Sequence, residues 1–281
     1  MRAGDVRVGD MRVGDVRVGE LDLSVRLAGS GAPFLWAHGM MSSMEAEDAL
    51  GILQWPHFPD SLRLVRYDAR GHGSSAASAP AAWHQLGQDM LALADALGEN
   101  TFIAGGWSMG CASALHAALH APARVDGLVL ILPPIVWEAR IAQAALYRRA
   151  IALAQSVGAA RFAKLIAREG SALPSWLLKA APHLAAAARR GMRDLSGPAM
   201  LALYESAALS DLPPRAALAA LADIPALIVG WPDDPAHPLA SAYELHRLLP
   251  SSRLFIAQNH QDVLTIPARL HEFVQATAAR R

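Results

Sequence analysis

The chain has 281 residues, 53% of them hydrophobic and 18% charged, with 25 Lys and Arg balanced by 25 Asp and Glu. That composition excludes a disordered chain, which combines low hydrophobicity with high net charge, and a globally basic surface built to neutralise nucleic-acid phosphates. The single cysteine, Cys111, excludes an internal disulfide framework and a multi-Cys zinc site. No metal or cofactor is expected. The N-terminal residues lack the apolar stretch of a signal peptide, and the longest apolar run, 127–137, carries two prolines and falls short of the roughly 20 residues a membrane span needs. The expectation is a cytoplasmic protein acting on a small molecule, without nucleic-acid or membrane partners; the sequence leaves its oligomeric state open.

In chain order, the first 21 residues form four imperfect pentads beginning at Arg2, Arg7, Arg12 and Arg17. A five-residue period fits neither helix nor strand, so residues 1–15 read as a flexible extension. From Val16 the pattern becomes strict alternation: Val16 and Val18, a turn at Gly19-Glu20, then Leu21, Leu23, Val25 and Leu27, which predicts a half-buried hairpin. Six apolar runs follow, at 33–37, 62–67, 101–104, 125–132, 226–229 and 253–257. Apolar at nearly every position, they predict strands buried on both faces of a parallel sheet. Helix-length segments at 83–97, 108–119, 240–249 and 266–278 separate them. The fold class expected is α/β: a mostly parallel sheet flanked by helices, with active residues on loops at the strands' carboxyl ends. More than ninety residues between Leu132 and Ala226 contain no convincing strand and are rich in Ala, Leu and Arg. A structureless loop of that length is improbable, so a helical, lid-like insertion is expected.

The sharpest motif is Gly106-Trp107-Ser108-Met109-Gly110, G-x-S-x-G between a predicted strand and a predicted helix. Small residues on either side permit a sharp turn that lifts the serine out at a helix N-terminus, where backbone N–H groups and the helix dipole favour developing negative charge. Serine needs a base, and the base an orienting acid. In this architecture the acid is expected after a later strand and the histidine after the last one. The run 226–229 leads into Asp233, Asp234 and His237; the run 253–257 leads into Asn259 and His260.

With these residues the chain resembles the α/β-hydrolase superfamily, closest to its small esterases and 3-oxoadipate enol-lactonase-like serine hydrolases with a helical cap. Two further stretches carry the resemblance: His38-Gly39-Met40 is similar to the H-G-x oxyanion loop, and the segment Asp68 to Ser75 to a D-x-R-G-x-G-x-S loop. The resemblance implies a core over 16–133 and 216–281 with a cap over 134–215. It implies Ser108 as nucleophile, His260 as general base and Asp234, favoured over Asp233, as the acid. The backbone N–H groups of Met40 and Met109 would form the oxyanion hole, and His38, Gly39 and Trp107 would lie near the substrate, His38 chiefly organising its loop. His237 is assigned to the turn entering the next helix, and Cys111 to the core. The implied activity is cleavage of a small ester or lactone through an acyl-enzyme. Carbon–carbon hydrolase, haloperoxidase-like and thioesterase members share the motifs, and a catalytically silent ligand sensor is the non-enzyme alternative. Haloalkane dehalogenases and epoxide hydrolases are disfavoured, since they carry Asp where this chain has Ser108. Finally, residues 135–215 hold 11 Lys and Arg against 5 Asp and Glu. Most of these are expected on solvated helix faces, with Arg140, Arg148 or Arg149 as candidates for entering the cleft and selecting a carboxylate-bearing substrate.

Overall fold

A computed structural model of the chain describes residues 6–8, 11–75, 81–169, 173–193 and 195–280. Its strands are β1 (Val6–Val8), β2 (Met11–Val18), β3 (Leu21–Ala28), β4 (Ala32–Ala37), β5 (Leu62–Tyr67), β6 (Phe102–Trp107), β7 (Val125–Ile131), β8 (Ala226–Gly230) and β9 (Ser252–Ile256). They form one sheet in the order β1-β2-β3-β5-β4-β6-β7-β8-β9. Pairing is antiparallel through β1, β2, β3 and β5 and parallel from β5 to β9. The expected parallel sheet is present. The expected extension over residues 1–15 differs: Val6–Val8 and Met11–Asp15 pair as strands, and the Arg-Val alternation inside the pentads supplies the period of two that a strand needs. Residues 1–5, 9 and 10 lie outside the described residues.

The helices are α1 (Met44–Leu50), α2 (Trp83–Ala96), α3 (Met109–His120), α4 (Glu138–Val157), α5 (Ala159–Glu169), α6 (Ser175–Ala180), α7 (Leu184–Ala188), α8 (Arg190–Arg193), α9 (Gly197–Ala208), α10 (Leu239–Leu248), α11 (His260–Leu264) and α12 (Ile266–Ala278). Successive side chains of the central strands serve opposite faces, as the two-residue period requires. Leu35, Ala104, Leu128, Leu130 and Ile228 pack with α2 and α3 on one face. Phe34, Trp36, Ile103, Val129 and Val229 pack with α12 on the other. Both layers are closed to water, which is why these strands read as continuous apolar runs.

The helices α4 to α9 all lie between β7 and β8. Among them α4, α5 and α9 build a small core of their own from Ala154, Phe162, Ala163, Met200 and Leu203, into which Met41 from the loop after β4 inserts. The 20-residue α4 has mean hydropathy too low for a bilayer, and no helix among the described residues is long and apolar enough to cross one.

The chain order places a switch at β4. From β4 the chain adds β5 on one side and then returns to add β6 on the other. Loops leaving β4 and β6 therefore diverge and open a crevice at their carboxyl ends. The register Ala37↔Gly106 sets His38 and Ser108 at the rim of that crevice from adjacent strands.

Candidate active site

Ser108 occupies the turn between β6 and α3 with φ 55 and ψ −109, a conformation few side-chain-bearing residues adopt. The flanking glycines are dictated by contact. A Cβ on Gly106 would stand 2.3 Å from the backbone of Gly110, and a Cβ on Gly110 would stand 2.0 Å from the carbonyl oxygen of Ala37. Cys111, in the first turn of α3, is fully buried, its thiol between the carbonyls of Gly106 and Ile131, and burial pushes its pKa up.

Asp234 and His237 arrive together on the loop after β8. Asp233 takes φ 60 and points to solvent, while Asp234 turns inward and is 5% exposed. A tight turn, closed by His237 N–H donating to Asp234 C=O at 3.2 Å, returns the chain so that His237 stands over Asp234. His237 Nδ1 lies 2.8 Å from Asp234 Oδ2, and His237 Nε2 lies 2.9 Å from Ser108 Oγ. A carboxylate only accepts, so Nδ1 carries the proton and the Nε2 lone pair faces the serine hydroxyl. Asp234 also accepts from Trp231 Nε1 at 2.7 Å and from the backbone N–H groups of Ala236 and His237. Burial alone would raise the pKa of Asp234; the bonds from His237, Trp231 and Ala236 outweigh it and hold the carboxyl below its usual range.

His260 departs from the expectation. It begins α11 after Asn259, whose extended backbone (φ −154) and side chain cap that helix by accepting from Asp262 N–H. Partly exposed, His260 makes no side-chain hydrogen bond to Ser108 or Asp234 and does not line the cavity above the serine. The site histidine is thus His237, read from sequence as a turn residue. Two histidines follow strand ends on the same edge of the sheet, and the choice between them rests on loop conformation, which periodicity does not report. The available signal was the spacing Asp234-Pro235-Ala236-His237-Pro238, which lets one turn carry both groups.

Gly39 and Trp107 line the cavity with Ser108, whereas His38 does not. His38 is fully buried beneath its own loop: Nδ1 donates to Gly39 C=O at 2.7 Å, and Nε2 accepts from Ala69 N–H at 3.1 Å. Burial, the largest influence, lowers its pKa to about 4, so it is a neutral brace and not a substrate contact. The Asp68 loop braces it in turn. Asp68 accepts from Met44 N–H and Ser74 N–H at 2.8 Å each, and Gly73 (φ 50) leaves no room for a Cβ against that carboxylate. The N–H groups of Met40 and Met109 donate to nothing among the turns, loops and caps of the described residues; Met40 lines the cavity, and Met109 opens α3 directly after Ser108.

The cavity holds about 250 Å³ between the sheet's carboxyl edge and the inserted helices. Its wall is largely apolar. Besides His237, two buried ionisable groups interrupt it. Glu47 accepts from Trp36 Nε1 at 3.0 Å and pairs with Arg66 at 3.3 Å; burial, offset in part by Arg66, pushes its carboxyl up to about 7. Arg140, from α4, is 4% exposed and donates to the carbonyls of Ser210 (2.8 Å), Ala207 (2.7 Å) and Ile135 (3.3 Å). Arg148 and Arg149 are exposed and line no part of the cavity. No cluster of metal-ligating side chains occurs among the described residues.

A family model described as alpha/beta hydrolase fold matches residues 29–264. Curated proteins yield no match. Among solved structures, a hydrolase from Pseudomonas aeruginosa is 24% identical with a TM-score of 0.74, over 94% of this chain and 97% of that one. A thermophilic esterase from Thermogutta terrifontis is 19% identical with a TM-score of 0.77, over 95% and 98%. An enol-lactonase from Burkholderia xenovorans is 21% identical with a TM-score of 0.69, over 95% and 98%. At these identities the likeness is one of fold.

Proposed function

The chain belongs to the alpha/beta hydrolase fold family, and from that premise we propose that it is a serine hydrolase of a small ester or lactone, working through Ser108, His237 and Asp234. The observation that carries this reading is the unbroken line of two hydrogen bonds from Asp234 through His237 to Ser108. As Ser108 Oγ attacks the scissile carbonyl, His237 Nε2 takes its proton and Asp234 stabilises the resulting imidazolium. The N–H groups of Met40 and Met109 receive the oxyanion as donors fixed by the backbone before the reaction begins. Collapse of the tetrahedral intermediate expels the alkoxide, which takes the proton from His237 and leaves Ser108 acylated. Water, losing a proton to His237, then attacks the acyl-enzyme, and its collapse frees the acid and returns the proton to Ser108.

Esterase and enol-lactonase structures among the fold relatives agree with this chemistry. The apolar wall at Met40, Trp107 and Leu132 favours a small acyl or alcohol group over a peptide chain. The test is labelling and turnover together. A fluorophosphonate is expected to modify Ser108 stoichiometrically, and short p-nitrophenyl esters to be hydrolysed by the native chain and not by Ser108→Ala. Undiminished turnover by Ser108→Ala would contradict the proposal.

A further inference from the structure

Between Glu138, which opens α4, and Glu169, which closes α5, the chain holds six Lys and Arg and no Asp or Glu. Arg140 is buried; Arg148, Arg149, Arg161 and Lys164 are exposed. The same stretch carries five of the eight large hydrophobic side chains exposed among the described residues: Ile141, Leu146, Leu153, Val157 and Leu165. Single exposed aliphatics are ordinary on a protein surface, but a cluster of them marks a contact. On α4, Leu146, Arg149, Leu153 and Val157 follow one another by three, four and four residues, so they share one face of the helix. The other side of α4 turns Gln143 and Tyr147 to the cavity and Ala154 to the core of the inserted helices. On α5, Phe162 and Ala163 enter that core, which leaves Arg161, Lys164 and Leu165 outward. The two helices pack on each other and on α9, so both outer faces are turned away from the same small core.

A surface of this make-up is matched by a partner that is anionic and apolar at once. A second copy of the chain fails, because a two-fold contact sets a patch against itself and here cation would meet cation. Nucleic acid would answer the charges but leave the leucines in water. The buried centre of a protein interface is depleted of charge, whereas Leu146, Leu153 and Leu165 each have an exposed Arg or Lys within four residues. An anionic bilayer surface supplies both needs: lipid phosphates for the basic groups, and the acyl boundary just beneath them for short apolar side chains. We propose that the outer face of α4 and α5 docks the protein peripherally on an anionic lipid bilayer. Leu146, Leu153 and Leu165 enter the headgroup boundary, and Arg148, Arg149, Arg161 and Lys164 lie against the phosphates, their aliphatic stems covering the leucines. Because α4 also lines the cavity, docking sets that cavity about one helix diameter, roughly 10 Å, from the lipid. Over the whole chain the charges cancel, which is why composition alone predicts no membrane partner.

Docking needs no turnover, so its test is independent of the serine-hydrolase reading. Flotation of the full chain compares vesicles of pure phosphatidylcholine with vesicles holding about 30% phosphatidylglycerol, at about 0.1 M and about 0.5 M NaCl. The native chain is expected to float with the anionic vesicles, less so at the higher salt, and to stay in solution beside the neutral ones. Two double variants, Leu146→Ser with Leu153→Ser and Arg148→Glu with Arg149→Glu, are each expected to lower the partition coefficient by about tenfold or more. All four residues are exposed and line no part of the cavity, so thermal melts of both variants should match the native chain. Equal flotation with neutral and anionic vesicles, or none with either, overturns the proposal. A leucine variant that binds as well as the native chain also overturns it, reducing the attraction to that of any polyanion. So does a dimer in sedimentation velocity that the leucine variant dissolves, since the face would then belong to a second copy.

Discussion

At Ser108 the backbone is held at φ 55, a strained geometry of the kind that costs of order 1–3 kcal/mol and persists only where the surroundings over-determine it. Gly106 and Gly110 are those surroundings, since any side chain on either would drive β6, α3 and β4 apart. Gly110→Ala is therefore expected to destabilise the chain by about 3 kcal/mol or more, in the upper range for a single substitution, and to abolish ester turnover, because the elbow cannot close against Ala37. Urea unfolding read by circular dichroism checks it, and a variant with native stability and activity would contradict the packing argument. Asp234→Asn keeps the shape but removes the charge that fixes the tautomer of His237, as the amide can present its N–H₂ to Nδ1. A fall in kcat of about 10²- to 10⁴-fold is expected, with little change in stability; steady-state kinetics beside thermal melts measures both. Loss of stability without loss of kcat would assign Asp234 to the fold alone.

At the scale of elements, much of the fold was legible because burial writes a pattern into strands. The runs at 33–37, 62–67 and 226–229 coincide with β4, β5 and β8 to within a residue, and G-x-S-x-G sits between β6 and α3. What escaped reading depends on turns. Val6–Val8 pairs with Met11–Val13, yet the pentad period masks an alternation of Arg and Val that was present in the letters. His237 escaped because the loop after β8 is shaped by a positive φ at Asp233 and one hydrogen-bonded turn, features without periodicity. The packing of α2 on α3 offers a test at this scale. A Cβ on Gly87 would come within 2.7 Å of His116 Cβ and 2.8 Å of Ala117 N, so the helices cross where Gly87 has no side chain. In an open helix Gly→Ala stabilises by about 1 kcal/mol; here overpacking at a cost of about 1–3 kcal/mol should prevail. Gly87→Ala is expected to lower the urea midpoint, and a raised midpoint would show that the crossing has slack.

For the whole molecule, the site hangs from the carboxyl edge of one sheet, and its supports are polar groups buried in neutral form. His38 and His72 lie beneath the loops after β4 and β5, their rings 4.9 Å apart. Burial lowers their pKa values to about 4 and about 3. Unfolded, each takes a proton near the ordinary imidazole value of about 6.5. Between about pH 6.5 and 4 the unfolded chain therefore binds more protons than the folded one, and stability falls as pH falls. The stabilisation is fully present above the unfolded value and is lost progressively down to the folded ones. Two such groups give a slope approaching about 2.7 kcal/mol per pH unit, at about 1.4 kcal/mol per proton. Denaturant midpoints measured from pH 7 to 4.5 should drop steeply, and a flat profile would contradict the burial of neutral imidazoles. The sheet's larger consequence is that Asp234 and His237, which form the hydrogen-bonded line to Ser108, both leave the same strand, β8, so the proposed chemistry draws nothing from the end of β9. The measurement that tests this most directly is kcat/KM for a short p-nitrophenyl ester in His237→Ala and His260→Ala side by side, with Ser108→Ala as the blank. His237→Ala is expected to fall by about 10⁴-fold, to near the blank, while His260→Ala stays within about threefold of the native chain; activity that survives in His237→Ala and vanishes in His260→Ala would contradict the account.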